Sequence, residues 1–368
     1  MKKVHTYTAT FFLGALQFCF ATELQDMINS ASHGDTITIP PGTYTQPISI
    51  DKAITLAGSN VILKIESNQP AIEITTRKPV TLKNLNIQYQ PTTKPQNDEH
   101  PYAIYASDGN LQVENCHIKD IGRPGVCPCA ISVADGSMGH IKSSRFEGFN
   151  YTIQFWNESE GSVEDCLIIK PGHCGITIGN GSSVELKRNI VSGSRYHGIR
   201  CTGGEITADS NLVIANKNRG FYIGNKSATG ILSNNLIIDN ATGINVYAFS
   251  DLKIFNNVIL RSSYAGLAIA DTATLNIENN IIANNERGAF GFSSEKGKEV
   301  SVRLRGENIA YGNTTQTEGI KQPTELAGIN PLFRDPDSGL FSSDTDMGLI
   351  APEELQKLWE KWRKTMVR

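Results

Sequence analysis

The chain has 368 residues, 39% hydrophobic and 19% charged, with a formal charge of −3. That is the composition of a globular protein long enough to bury a large core. Without a basic field or an acidic block, nothing in it argues for a nucleic-acid partner.

Lys2 and Lys3 precede the apolar stretch TATFFLGALQFCFA, which carries small residues at Cys19 and Ala21. A basic start, an apolar centre and small residues before a cleavage point make up a signal peptide. Residues 1–21 are therefore expected to be removed, and the mature chain to be secreted or periplasmic. The stretch is too short to span a bilayer and no later segment is long enough, so no stable membrane insertion is expected. Cys116, Cys127, Cys129, Cys166, Cys174 and Cys201 remain after cleavage. Export permits disulfides, and the even count fixes no pairing.

TELQDMINSA offers Thr22 as an N-cap, Gln25 three residues on, and Leu24, Met27 and Ile28 on one face. This predicts a short helix covering the N-terminal end of the chain's main body. That body is repetitive. CGITI, HGIRC, RGFYI, TGINV, AGLAI and RGAFG place glycines at 175, 198, 220, 243, 266 and 288, at steps of 22 or 23 residues. KRNIV, DSNLV, SNNLI, FNNVI and ENNII place Asn189, Asn211, Asn235, Asn257 and Asn280 at steps of 22 to 24. Two columns sharing one period define a stacked repeat. Ile72, Ile104, Ile131 and Ile153 continue the first column upstream. Leu85, Cys116, Ser144 and Cys166 continue the second, and Asn308 extends it downstream. The longer upstream steps hold PTTKPQNDEHP and GRPGVCPC, both rich in turn residues.

Within each unit, short runs such as GINV, LKIF and LNIENNII alternate apolar and polar residues between Gly, Asn, Asp and Ser, the pattern of strand and turn. Strands this short bury their apolar faces only by stacking, lap upon lap, about 4.8 Å apart. A leucine-rich repeat has a similar period, but its preceding leucine is missing here and a second β segment follows each glycine. The expectation is an all-β, single-stranded right-handed parallel β-helix of about ten rungs over residues 22–322. Residues 323–368 should form a C-terminal extension. Its APEELQKLWEKWRKTMVR carries Pro352 at the first helical position, acids in the first turn and Lys/Arg in the last. Leu355, Leu358, Trp359 and Trp362 give this amphipathic helix an apolar stripe, expected to pack on the protein's own body.

The Asn column should point inward and bond backbone groups at a tight turn, rung after rung. A further column, Asp108, Asp135, Asn157, Asn180, Gly203 and Asn225, has the residue types that tolerate left-handed backbone. Asp108 and Asp135 are accordingly read as turn residues rather than catalytic acids or calcium ligands.

The opening LQDMINSASHGDTITIPPGTYTQPISIDKAITLAGS resembles the first coil of the pectate-lyase-like β-helix superfamily. The GI-x-I … NN-x-I units are similar to its generic carbohydrate-binding and sugar-hydrolase repeats. The likeness spans roughly Thr22 to Asn313. It implies an extracellular or cell-envelope polysaccharide or oligosaccharide as partner, and leaves the chemistry open because many activities share this scaffold.

Strand parity turns Ile199 and Cys201 inward and Arg200 outward. The same outward column holds Tyr105, Ser132, Gln154, Thr177, Tyr222, Asn245, Ala268 and Phe290. The residue before each glycine, or its equivalent, gives Tyr102, Cys129, Tyr151, Cys174, His197, Arg219, Thr242, Ala265 and Arg287. Arg195, Tyr196, His197, Arg200, Arg219 and Tyr222 thus fall on two adjacent rungs, with His173 one rung away. Superfamily lyases of uronate polymers need a cation for the substrate carboxylate and a base for the neighbouring proton. Arg200 or Arg219 fits the first role; His197, Tyr222 or an arginine fits the second. Trp156, Gln154, His173, Arg195 and Tyr196 are candidate substrate-binding residues. The clustered aspartates of polygalacturonase-type hydrolases and the Asp-Pro-His of alginate epimerases are missing, so β-elimination is the reaction expected of an enzyme here.

Two other readings remain: a non-catalytic periplasmic or surface scaffold, and a copper- or zinc-handling accessory protein using Cys127, Cys129, His173, Cys174 and His197. Cys129 and Cys174 sit two rungs apart, about 9.6 Å at the ~4.8 Å spacing, too far for a disulfide. No resident metal or cofactor is assigned, and a monomer is expected.

Overall fold

The computed structural model describes residues 21–93, 101–122, 128–224, 228–247, 249–270, 272–293 and 298–300, and shorter stretches from 303 to 366. Residues 1–20 of the leader expected at 1–21, Cys127 and Asn225 lie outside the described residues. Two compact units make up the chain, residues 1–162 and 163–368. Each is a parallel β-solenoid in which strands pair with the strand three further on, so the chain returns above itself once per lap, until the last strands, which include one antiparallel pair, Phe333–Asp335 with Leu340–Ser343.

In the first unit the helix Ala21–Ser30 opens the chain. Leu24 and Ile28 are buried, so its apolar face lies on the core as the spacing predicts. Gln25 treats the end strand Ile48–Ile50 as a neighbouring strand would: Oε1 accepts from Ser49 N at 2.9 Å and Nε2 donates to Ser49 O at 3.1 Å. The lid therefore satisfies backbone groups that an uncovered solenoid end exposes. Ile72, Ile104, Ile131 and Ile153 stand in register in this unit. Asp108 and Asp135 have φ near 55°. Asp108 accepts from Arg77, and Asp135 accepts from Ser107 and Asn157, so both are turn residues with local partners.

In the second unit the third sheet runs through Cys174–Gly179, His197–Thr202, Arg219–Ile223, Thr242–Val246, Ala265–Ala270 and Arg287–Phe292. Its register pairs Thr177 with Arg200, Arg200 with Tyr222, Tyr222 with Asn245, Asn245 with Ala268 and Ala268 with Phe290. The glycines stand in single file. A Cβ on Gly175 would lie 2.6 Å from Gly198 O, and one on Gly198 only 2.8 Å from Gly220 O. Only glycine allows so close an approach between rungs.

The core is a stack of aliphatic layers. Ile199, Cys201, Ile206, Ala208 and Val213 are fully buried on one lap, each large aliphatic contributing roughly 1.5–3 kcal/mol. Asn189, Asn211, Asn235, Asn257 and Asn280 are fully buried. Each donates through Nδ2 to the Oδ1 of the asparagine on the next lap, at 2.9–3.1 Å, or to that of Asn308 at the end. The residue before each of them has φ between 53° and 57°, so the short turn and the ladder form together. A second ladder through Asn216, Asn240, Asn285 and Asn313 runs after the second sheet.

The helix Pro352–Met366 packs on its own body. Leu358 and Trp359 join a cluster with Leu167, Ile190, Leu212 and Leu236 of the second sheet. Trp362 Nε1 donates to Ser192 Oγ at 3.0 Å. Cys116, Cys129, Cys166, Cys174 and Cys201 are all buried. Burial pushes Cys174 up to about 11, so it is a thiol at neutral pH.

Candidate functional site

The third-sheet face of the second unit gathers rings and guanidinium groups. His173 stacks on Tyr196 with centroids 4.7 Å apart and planes 4° from parallel. His197 stacks on Tyr222 at 4.8 Å and 14°. The two pairs meet edge to face, Tyr196 against His197 at 5.2 Å. Arg219 lies over the Tyr222 ring with its guanidinium carbon 5.3 Å from the centroid, within cation–π range. Register places His197 between Cys174 and Arg219, and Arg200 between Thr177 and Tyr222.

His197 is 6% exposed, covered by the rings that stack on it rather than open on the surface. Burial, then Arg219, His173 and Arg200, lowers its pKa from the usual 6.5 to about 3. His173 is lowered too, by burial and by Arg200. The charges that add to burial at His197 are all cationic, each disfavouring its protonated form. His197 Nδ1 and Arg200 Nε are buried without a hydrogen-bond partner, an unusual condition for buried polar atoms. His173 Nδ1 lies 3.0 Å from Cys174 Sγ; with the thiol protonated, the S–H donates to the ring.

The structure thus brings together His173, Tyr196, His197, Arg200, Arg219 and Tyr222. Arg195 is exposed beside Tyr196. Gln154 and Trp156 belong to the first unit, where Gln154 pairs in register with Ser132 and is 9% exposed. Among the described residues no group of three or more His, Cys, Asp and Glu side chains is arranged to hold a metal.

The ring series continues past the residues that the sequence singles out. Tyr247 lies 5.4 Å from Tyr222, and Phe292 lies 5.2 Å from Tyr247. Phe290 follows at 6.2 Å from Phe292, and Tyr264 meets Phe290 edge to face at 5.6 Å. Tyr247 and Phe292 each stand two residues beyond the outward column, at strand ends past the alternating run. The glycine at 224 is the available signal: a Cβ there would fall 2.2 Å from Tyr247 Cβ.

Fold and face define a parallel β-solenoid with a cationic and aromatic strip along one sheet. A family described as the right handed beta helix region matches residues 70–231 and 224–319, and the chain belongs to that family. No curated protein sequence matches it significantly. Among solved structures it is similar to the periplasmic alginate epimerase AlgG, with 15% identity over 80% of this chain and 82% of that one, at a TM-score of 0.64. The A-module of the mannuronan C-5 epimerase AlgE6 from Azotobacter vinelandii is similar at 13% identity, over 83% and 91% of the two chains, with a TM-score of 0.64. The PL6 family alginate lyase AlyGC aligns at 13% identity over 91% of this chain and 57% of that one, with a TM-score of 0.58. Identities this low carry the fold alone. Among the described residues no helix is long and apolar enough to cross a membrane.

Proposed function

We propose that this protein is exported behind a leader at residues 1–21 and binds an acidic polysaccharide along the face from His173 to Tyr222. One observation carries the reading: two stacked ring pairs interleaved with Arg200 and Arg219, with buried polar atoms unpartnered and the charges acting on His197 all cationic. Flat rings offer a surface to sugar C–H faces, and guanidiniums match a uronate carboxylate. Similar folds whose names state epimerase or lyase activity on alginate lend support. Titration calorimetry with octauronates tests it. Arg200→Ala combined with Tyr222→Ala should weaken binding at least tenfold, and an unchanged affinity rejects the site.

Cleavage by β-elimination is a second reading, favoured by a neutral His197 imidazole beside two arginines. A carboxylate held by Arg200 and Arg219 offsets the cationic part of what depresses His197, so its basicity rises when substrate binds. The proton beside the carboxylate passes to the unprotonated ring nitrogen of His197 or, where the ring stays covered, to water. The C–O bond at the β-carbon breaks as a C=C bond forms, and the leaving oxygen takes a proton from Tyr222 or water. New ultraviolet absorbance from the unsaturated product, abolished in His197→Gln, is the expected result. Binding without any absorbance change leaves the protein a binder.

A further inference from the structure

The same face changes character along its length. Ala268 and Ala270 point outward on the strand Ala265–Ala270 yet are only 4% and 3% exposed. Register sets Ala268 between Asn245 and Phe290, and Ala270 beside Phe292. With Tyr247 in contact with Phe292 and Tyr264 in contact with Phe290, the two small alanines lie covered beneath a row of rings. Tyr264 is 44% exposed and Tyr247, Phe290 and Phe292 are half-buried, so this shallow aromatic slot offers ring surface to solvent.

The cation beside this slot is already paired. Arg287 donates through Nε to Glu318 and through an Nη to the Tyr264 carbonyl at 3.3 Å. Its guanidinium lies over the rings of Tyr264 and Phe290, at 4.8 and 5.5 Å. Glu286 adds a second acid beside it. A carboxylate seated here would face rings and acids, beside a cation that already has a carboxylate partner, and would gain little. The half of the strip around Arg200 and Arg219 has the opposite balance.

We infer that the aromatic slot over Ala268 and Ala270 is a subsite for an uncharged sugar, so that the protein selects an acidic glycan in which neutral or esterified residues flank the charged one. This rests on the glycan-binding reading and deepens it. The rung of Arg219 stands two to three rungs from those of Ala265 and Arg287, about 10–14 Å at ~4.8 Å per rung, which spans two or three pyranose rings. A fully ionised homopolyuronate places carboxylates over the slot. A chain with uncharged residues at that distance fills both halves.

Octamers of mannuronate and of galacturonate supply the probes, each fully ionised and with about half its carboxylates methyl-esterified. Titration calorimetry at fixed ionic strength compares the two forms on one backbone. The expected result is at least fivefold tighter binding of the partly esterified octamer on the backbone that binds. Tyr264→Ala with Phe290→Ala should erase this preference while leaving the ionised octamer within twofold. Arg200→Ala should weaken both forms. Equal or tighter binding of the ionised octamer, or a double variant that weakens both forms alike, overturns the slot assignment and leaves the binding face standing. If no octamer binds, or Arg200→Ala changes nothing, the binding reading itself falls and the slot with it.

Discussion

Replacing Asn235 with alanine attacks the device that keeps the rungs in register. Asn235 is fully buried. Its Nδ2 donates to Ala208 O at 3.0 Å and to Asn257 Oδ1 at 2.9 Å. Its Oδ1 accepts from Asn211 N at 2.9 Å and from Asn211 Nδ2 at 3.0 Å. Alanine removes all four bonds, but the losses are unequal. Asn211 Nδ2 keeps Leu186 O and Asp209 O, and Asn257 Oδ1 keeps the backbone donor of residue 235. The Asn211 N–H and the Ala208 carbonyl lose a buried partner, each at about 1–3 kcal/mol. A loss of about 4 kcal/mol is therefore expected, measured as a lower guanidinium midpoint with the slope unchanged. Asn234→Gly is the comparison. Asn234 has φ 54° and gives only one side-chain bond, to Asp209 Oδ1 at 2.7 Å. Glycine adopts that backbone freely, so under about 1 kcal/mol should go. If Asn235→Ala costs no more than Asn234→Gly, the ladder does not hold the rungs together.

Gly198→Ala should lower the melting temperature, because the new Cβ meets Gly220 O and Val213 Cγ1 at 2.8 Å and Asn216 Nδ2 at 2.9 Å; overpacking of this kind costs about 1–3 kcal/mol. His197 makes stability fall on acidification. Its folded pKa is about 3 against 6.5 unfolded, so between those values the unfolded chain binds a proton that the folded chain refuses. The loss approaches about 1.4 kcal/mol per pH unit, or about 2–3 kcal/mol from pH 7 to 4.5. Denaturation across that range should show the slope flattened in His197→Gln, and an identical slope in both proteins would refute the assignment.

Much of the scaffold is legible in the sequence because a once-per-lap constraint repeats there. Gly175, Gly198 and Gly220 must let backbones approach, and Asn189 to Asn280 must fill the same buried turn, so each column survives at a fixed step. The second ladder is hidden for two physical reasons. Serine occupies it at Ser194 and Ser262, whose backbone N–H groups donate to Asn216 and Asn285. Its asparagines also change their distance from the glycine, four residues at Asn216 and three at Asn240. Strand parity places Arg200 and Tyr222 on one face. It does not give the burial of His197, which comes from Tyr222 on the next rung and from the adjacent Tyr196. Nor does it show that Arg287 is neutralised by Glu318, since that partner lies 31 residues away.

Those two details decide what the face can recognise. Arginines at 200, 219 and 287 look equivalent in the sequence, one per lap near the same column. Arg287 has a carboxylate partner, whereas Arg200 and Arg219 act together on His197 and depress it. Burial lowers His197 first and the two arginines add to it, so beside the unpartnered Nε of Arg200 a rigid sheet holds a local excess of positive charge in place. An anion relieves that excess and lets His197 accept a proton, so anion binding and protonation favour each other at this end of the strip. At the Ala268 end nothing is left to relieve. A ligand gains there only by burying apolar surface against rings. On the proposed reading, one sheet face sorts a glycan by where its charges fall along the chain, because successive laps can differ in charge while sharing a backbone.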